Sequence, residues 1–177
     1  MTSTIKKFNK QGMLIKKSGG KGKGPGEFTA IRYISSYDKL VYITDQNVMG
    51  LQLFDTNLNY IRTIDCYRTP NDFQIITPNQ IIISFLGIAE PSKLLVIDQV
   101  GKETNNIPYS ESNDEFMMDV ISFKSDKDFN IYLAFKFKDI IKKIDLTGRE
   151  IWKKSFFSKI KIKKTKKKFL DSNYQNN

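Results

Sequence analysis

Two markers recur along this chain with a common period. An acidic residue followed by phenylalanine occurs at Glu27-Phe28, Asp72-Phe73 and Glu115-Phe116, with the phenylalanines 45 and 43 residues apart. The second marker is an apolar residue, then Asp or Asn, then a tight-turn residue three positions on. It occurs at Phe8-Asn9…Gly12, Phe54-Asp55…Leu58, Ile97-Asp98…Gly101 and Ile144-Asp145…Gly148, in steps of 46, 43 and 47. A period of this size specifies a repeat architecture in which each unit is one small antiparallel sheet, too small to bury its own apolar faces and so stacked on its neighbours.

Within the first complete unit the alternation of apolar and polar residues predicts four strands, Thr29–Ser35, Lys39–Thr44, Gly50–Phe54 and Tyr60–Ile64. The second unit predicts Phe73–Thr77, Gln80–Leu86, Lys93–Ile97 and Lys102–Ile107. The third predicts Phe116–Phe123, Phe129–Phe135, Ile140–Ile144 and Glu150–Phe156. Ile5–Phe8 and Met13–Lys17, on either side of Gly12, read as the last two strands of a preceding unit. No stretch carries a helical period, and the content of β-branched and aromatic residues favours strands. The expected division is residues 1–26 as the two strands and a connecting loop, then units 27–71, 72–114 and 115–157, then a lysine-rich tail over 158–177.

Charge follows the same division. Seven lysines and no acids lie in residues 1–25, and nine lysines against Asp171 lie in 151–177, while residues 26–150 are net acidic. The excess of +10 therefore belongs to the two ends and not to a basic face. The single cysteine, Cys66, excludes an intrachain disulfide, and the absence of histidine excludes Ser-His-Asp and Cys-His triads and imidazole metal ligands. The N-terminus has no apolar signal-peptide core, and the longest nearly apolar run, Ile81–Ala89, is far below the roughly 20 residues that span a bilayer.

The segment Gly22-Lys23-Gly24-Pro25-Gly26-Glu27-Phe28, followed by Val41-Tyr42-Ile43-Thr44-Asp45-Gln46-Asn47 and Leu51-Gln52-Leu53-Phe54-Asp55, resembles a blade of the six-bladed β-propeller, NHL-repeat-like family. The likeness extends over roughly residues 4 to 156 and covers about three and a half blades. It implies an all-β, β-propeller-type repeat of four-stranded antiparallel blades, either a partial six-bladed propeller or a small ring closed by pairing of the first two strands with strands from residues 158–170. In the second and third units the glycine loop is replaced, and Phe85 and Lys136 stand where the first has Asp45. The resemblance also implies an exported or lipid-anchored bacterial protein, with any export signal upstream of this start.

For function, the expectation is a non-enzymatic binding or protein-interaction module. A protein or glycan ligand would lie on the funnel face, and open blade faces would allow self-association. The glycine cluster Gly19–Gly26 lacks the Gly-Lys-Ser/Thr and following helix of a phosphate loop, so it reads as a turn. Asp55, Asp98 and Asp145 fall at one place in each unit, as turn-capping residues do. No catalytic residue is assigned. Oxygen ligands suit calcium, and Asp45, Asn47 and Glu90 in the second-to-third-strand loops are the candidates for such a site in a lactonase-like hydrolase. The tail lysines Lys161, Lys163, Lys164, Lys166, Lys167 and Lys168 are the candidates for contact with RNA phosphates.

Overall fold

The computed structural model describes residues 3–77, 79–85, 93–109, 121–135 and 138–156. Within them lie fourteen strands and no helix. β1 (Ile5–Phe8) and β2 (Leu14–Ser18) form a two-stranded hairpin. The first full sheet holds β3 (Ile31–Tyr37), β4 (Leu40–Asp45), β5 (Gly50–Asp55) and β6 (Tyr60–Asp65) in that spatial order. The second holds β7 (Pro70–Thr77), β8 (Gln80–Phe85), β9 (Lys93–Ile97) and β10 (Glu103–Pro108). The third holds β11 (Ile121–Ser125), β12 (Ile131–Phe135), β13 (Ile140–Ile144) and β14 (Glu150–Ser155). Every pairing is antiparallel and joins sequence neighbours, so each sheet is an independent meander. The protein is an all-β, propeller-type repeat of four-stranded blades.

One turn recurs and explains the second marker. At the β5–β6 turn, the amides of Asn57 and Asn59 donate to Asp55 Oδ1 at 2.8 and 2.9 Å, and the Leu58 amide donates to the Asp55 carbonyl at 2.9 Å. Asn9, Asp98 and Asp145 accept the same pair of amides from two and four residues on. A fifth copy, unmarked in the sequence reading, closes the β11–β12 hairpin, where Asp126 accepts from Asp128 and Asn130. The fourth residue of each turn is left-handed: Gly12, Leu58, Gly101, Phe129 and Gly148 have φ of 81°, 58°, 91°, 62° and 86°. Glycine adopts this conformation freely, whereas leucine and phenylalanine are strained there by about 1–2 kcal/mol.

The blades are joined face to face. Tyr42, Leu51, Leu53 and Ile64 of the first blade pack on Phe73, Ile75, Ile81, Ile83 and Ile97 of the second. Ile82, Leu94, Val96 and Ile107 of the second pack on Ile121, Phe123, Ile131, Leu133, Phe135 and Ile144 of the third. Ile5 and Phe28 form the equivalent layer between the hairpin and the first blade, against Ile43, Phe54 and Leu58. The first strand of each blade is innermost, and Gln74 of β7 ties to Ser125 of β11 by two 2.7 Å hydrogen bonds. The turns also register neighbouring blades. A Cβ at Gly101 would meet the Asp65 carbonyl of β6 at 2.2 Å, and one at Gly148 would meet the Pro108 carbonyl of β10 at 2.6 Å.

The acid-Phe marker proves to be two different positions. Phe73 lies inside β7 opposite Ile83, the place that Ile34 holds opposite Ile43 in the first blade. Phe28 instead precedes β3, in an isolated bridge with Lys21. Both are fully buried in an inter-blade layer, which explains why each is a phenylalanine. In the third blade the residue equivalent to Phe73 is Phe123, opposite Leu133, whereas Glu115-Phe116 lies outside the described residues. Register also puts Phe135, and not Lys136, at the position of Asp45 and Phe85.

The strained turns give a direct test. Phe129 is 44% exposed, so Phe129→Gly loses little packing and is expected to raise stability by about 0.5–1 kcal/mol. Leu58 shares the strain but is buried against Phe28 and Phe54, so Leu58→Gly is expected to lower stability by roughly 2 kcal/mol or more. Urea unfolding of the two variants checks both signs.

Candidate functional site

The β4–β5 and β6–β7 loops lie at one end of the first blade, and two of the sequence-derived oxygen ligands, Asp45 and Asn47, sit there. Asp45, the last residue of β4, is fully buried. Its Oδ2 accepts the Thr29 and Ala30 amides at 2.8 and 2.7 Å. Its Oδ1 accepts the Thr29 hydroxyl at 2.6 Å and the Asn47 amide at 3.0 Å. Asn47 Nδ2 donates onward to Thr29 Oγ1 at 2.8 Å. The carboxylate thus fastens the chain leading into β3 to the end of β4. Burial alone would raise its pKa, but the Thr29 hydroxyl and the three amides outweigh that and hold it below the usual carboxylate range.

The glycine loop ahead of it is organised by Glu27. Glu27 Oε2 accepts the Gly24 amide at 2.9 Å, and a Cβ on Gly22 would meet that carboxylate at 1.9 Å, so a side chain there would displace the glutamate from this position. Gln52 of β5 clasps the same loop, accepting the Gly26 amide at 2.9 Å and donating to the Glu27 carbonyl at 2.8 Å. The loop folds on itself and leads into a strand, with no helix behind it to cradle a phosphate.

Sequence reasoning passed over two neighbouring residues on this end. Met49 and Tyr67 are 64% and 81% exposed. Their loops are joined by the hydrogen bond from the Cys66 amide to the Met49 carbonyl, 3.1 Å. Tyr67 is held at φ 58° with its amide donating to Asp65 Oδ1 at 2.9 Å. A strained, solvent-facing tyrosine and an exposed methionine on two loops joined through the backbone offer apolar contact area at this end of the blade. The available signal was their position, in loops on both sides of one strand pair. Cys66 itself is buried, and its thiol is pushed up to about 12, chiefly by that burial, so it is no nucleophile at neutral pH.

The structure brings Asp45 and Asn47 together, and Glu90 lies outside the described residues. Among the described residues no three Asp, Glu or Cys side chains converge in a way that could hold a metal. Asp55, Asp98 and Asp145 cap separate turns on separate blades. Lys161, Lys163, Lys164, Lys166, Lys167 and Lys168 also lie outside the described residues. Among the described residues no helix is long and apolar enough to cross a membrane.

With this geometry in view, comparison with solved structures supports the fold. The chain is similar to a protein of unknown function from Bacteroides caccae, with a TM-score of 0.58 and 12% identity over 87% of this chain and 54% of that one. It is also similar to the computationally designed Ika8 protein, with a TM-score of 0.53 and 14% identity over 86% of this chain and 43% of that one. The chain therefore spans about half the length of the solved structures it matches. No protein-family model and no curated protein matches it.

Acidification tests the carboxylate latches. Asp126 is drawn to about 2: burial opposes this, but Lys143 and the Asn130 amide and side chain prevail. Asp145 reaches about 2, first through the Thr147 hydroxyl. Asp45 shifts in the same direction. A carboxylate with a lowered folded-state pKa stabilises fully above its unfolded value near 4 and loses that contribution as pH falls through its folded value. The melting temperature is therefore expected to fall between about pH 4 and pH 2. Asp45→Asn, which substitutes an amide for an acceptor of four donors, is expected to cost roughly 2–4 kcal/mol at pH 7 and to flatten the acid limb. Thermal unfolding of both proteins across that pH range measures it.

Proposed function

We propose that this chain is a non-enzymatic binding or protein-interaction module, part of a six-bladed, NHL-like propeller, that takes a protein or glycan on the loop-bearing end of its blades. The observation that carries this reading is the exposed pair Met49 and Tyr67 on joined loops, on a scaffold in which five aspartates are engaged in holding the backbone. Asp55, Asp98, Asp126 and Asp145 cap turns, and Asp45 fastens a strand. The NHL-like assignment is supported by the Gly22–Phe28 loop, folded around Glu27 and clasped by Gln52 as the first blade begins.

Aromatic and methionine side chains supply large contact area at low entropic cost, which is why they dominate recognition surfaces. The expected outcome is that a glycan array and a panel of extracellular-matrix and bacterial surface proteins yield a ligand. Binding should fall at least about tenfold in Met49→Ala/Tyr67→Ala, which removes two contact side chains, with the melting temperature unchanged. A ligand indifferent to both substitutions would place recognition elsewhere. Turnover of lactone or ester substrates, dependent on calcium and lost in Asp45→Asn, would replace this reading with the hydrolase.

A further inference from the structure

The innermost strands carry charge that the inter-blade layers do not use. β3, β7 and β11 hold three charged residues between them, Arg32, Asp72 and Lys124. Asp72 is buried, whereas Arg32 and Lys124 are exposed, so the charge that these strands present to solvent is positive. Lys124 Nζ donates to the hydroxyl of Tyr33 and lies 5.1 Å from the centre of its ring. The two residues are 91 positions apart, and their contact joins the first blade to the third without a residue of the second.

This contact leaves donors over. A phenol oxygen that accepts an ammonium proton turns its own O–H elsewhere, and the ammonium keeps two further N–H groups. No carboxylate takes them: among the described residues the partners of Lys124 are the Tyr33 hydroxyl and ring. Other cations of the third blade are matched differently. Lys142 reaches Glu150 at 3.3 Å, Lys143 reaches Asp126 at 3.0 Å and Arg149 reaches Asp145 at 3.0 Å. The Tyr33 ring stands edge-on to Phe73 with centres 5.3 Å apart, which fixes its hydroxyl in place. Arg32, beside it in the chain, is the extra residue of a β-bulge, since Ile31 and Tyr33 pair with the consecutive residues Asp45 and Thr44. Bulges re-aim the side chain they carry. The Arg32 guanidinium is exposed and makes no hydrogen bond or ion pair among the described residues.

We propose that the inner edges of the blades bind the carboxylate of an acidic sugar, a uronate unit of a glycan. Lys124 Nζ and the Tyr33 hydroxyl are its donors, and Arg32 adds positive charge beside them. The proposal rests on the reading of the chain as a binding module and names the class of its ligand. A carboxylate oxygen accepts from both groups and completes a cluster that has donors and lacks an acceptor, through charge-assisted bonds stronger than neutral ones. The donors come from the innermost strands of two different blades, a place that a single sugar ring reaches more readily than the surface of a folded protein does.

Isothermal titration calorimetry of the full chain with trigalacturonate, its methyl ester, inorganic phosphate and a glutamate tripeptide tests the site. Trigalacturonate is expected to bind, with affinity falling at least about tenfold in Lys124→Met and roughly three- to tenfold in Tyr33→Phe, since each variant removes one donor to a charged group. Raising NaCl from about 0.05 M to about 0.5 M is expected to weaken binding to the unaltered chain and to change it little in Lys124→Met/Arg32→Gln. Both cations are exposed, so these variants are expected to keep the melting temperature of the unaltered chain. A methyl ester that binds as tightly as the acid, or an affinity unmoved by Lys124→Met, overturns the site. Phosphate or the tripeptide binding as tightly as trigalacturonate overturns the assignment to an acidic sugar. Trigalacturonate that does not bind overturns the inference as well. A ligand without a carboxylate that needs Met49 and Tyr67 would overturn this site and leave the binding module standing.

Discussion

Everything in this molecule depends on the apolar layer between adjacent sheets. A four-stranded meander has two faces and cannot bury either alone, so each blade is stable only as the neighbour of another. Phe28 against Phe54, with ring centres 5.8 Å apart, and Tyr33 against Phe73 at 5.3 Å are the aromatic members of two successive layers. Losing one such phenylalanine would cost on the order of 3–5 kcal/mol, a large share of the stability of a domain this size. The turns serve that layer. They set each blade's outer hairpin against the carbonyl ending the previous blade, and so fix the spacing that the core residues must fill.

This dependence explains how the sequence could reveal the architecture while blurring its details. The Asp-turn marker is local chemistry: one side-chain oxygen, two amides and one left-handed residue within five positions. It can be read wherever it occurs, and Asp126 was overlooked only because it joins a different strand pair and so falls off the period. The acid-Phe marker belongs to a layer formed between blades. A layer needs an aromatic at a certain point in space, and the chain can deliver it from a loop, as with Phe28, or from within a strand, as with Phe73. Regular spacing of the two therefore reflected a common destination and not a common position.

The candidate site was legible to a different degree. Asp45 and Asn47 were singled out as oxygen donors at a strand end, and the structure places them together with Thr29. What spacing could not convey is that the four donors to Asp45 come from residues on both sides of it, two of them 15 and 16 residues away in sequence. Exposure of Met49 and Tyr67 was equally hidden, since an apolar residue in a loop has the same letter whether it faces a core or water. That Lys143 of the third blade stands at the position of Leu53 and Val96 could be recognised only once register had aligned them.

The Asp45 latch has a consequence for how the blades come apart. The first blade is fastened at this point by a buried charge, whereas the second and third place Phe85 and Phe135 there. Three backbone amides, those of Thr29, Ala30 and Asn47, converge on one carboxylate and are released together when it lets go. They therefore exchange with solvent as a single cooperative unit that protonation of Asp45 opens. At this one position the first blade answers to acid, whereas its two repeats, with Phe85 and Phe135 there, offer a proton nothing to bind.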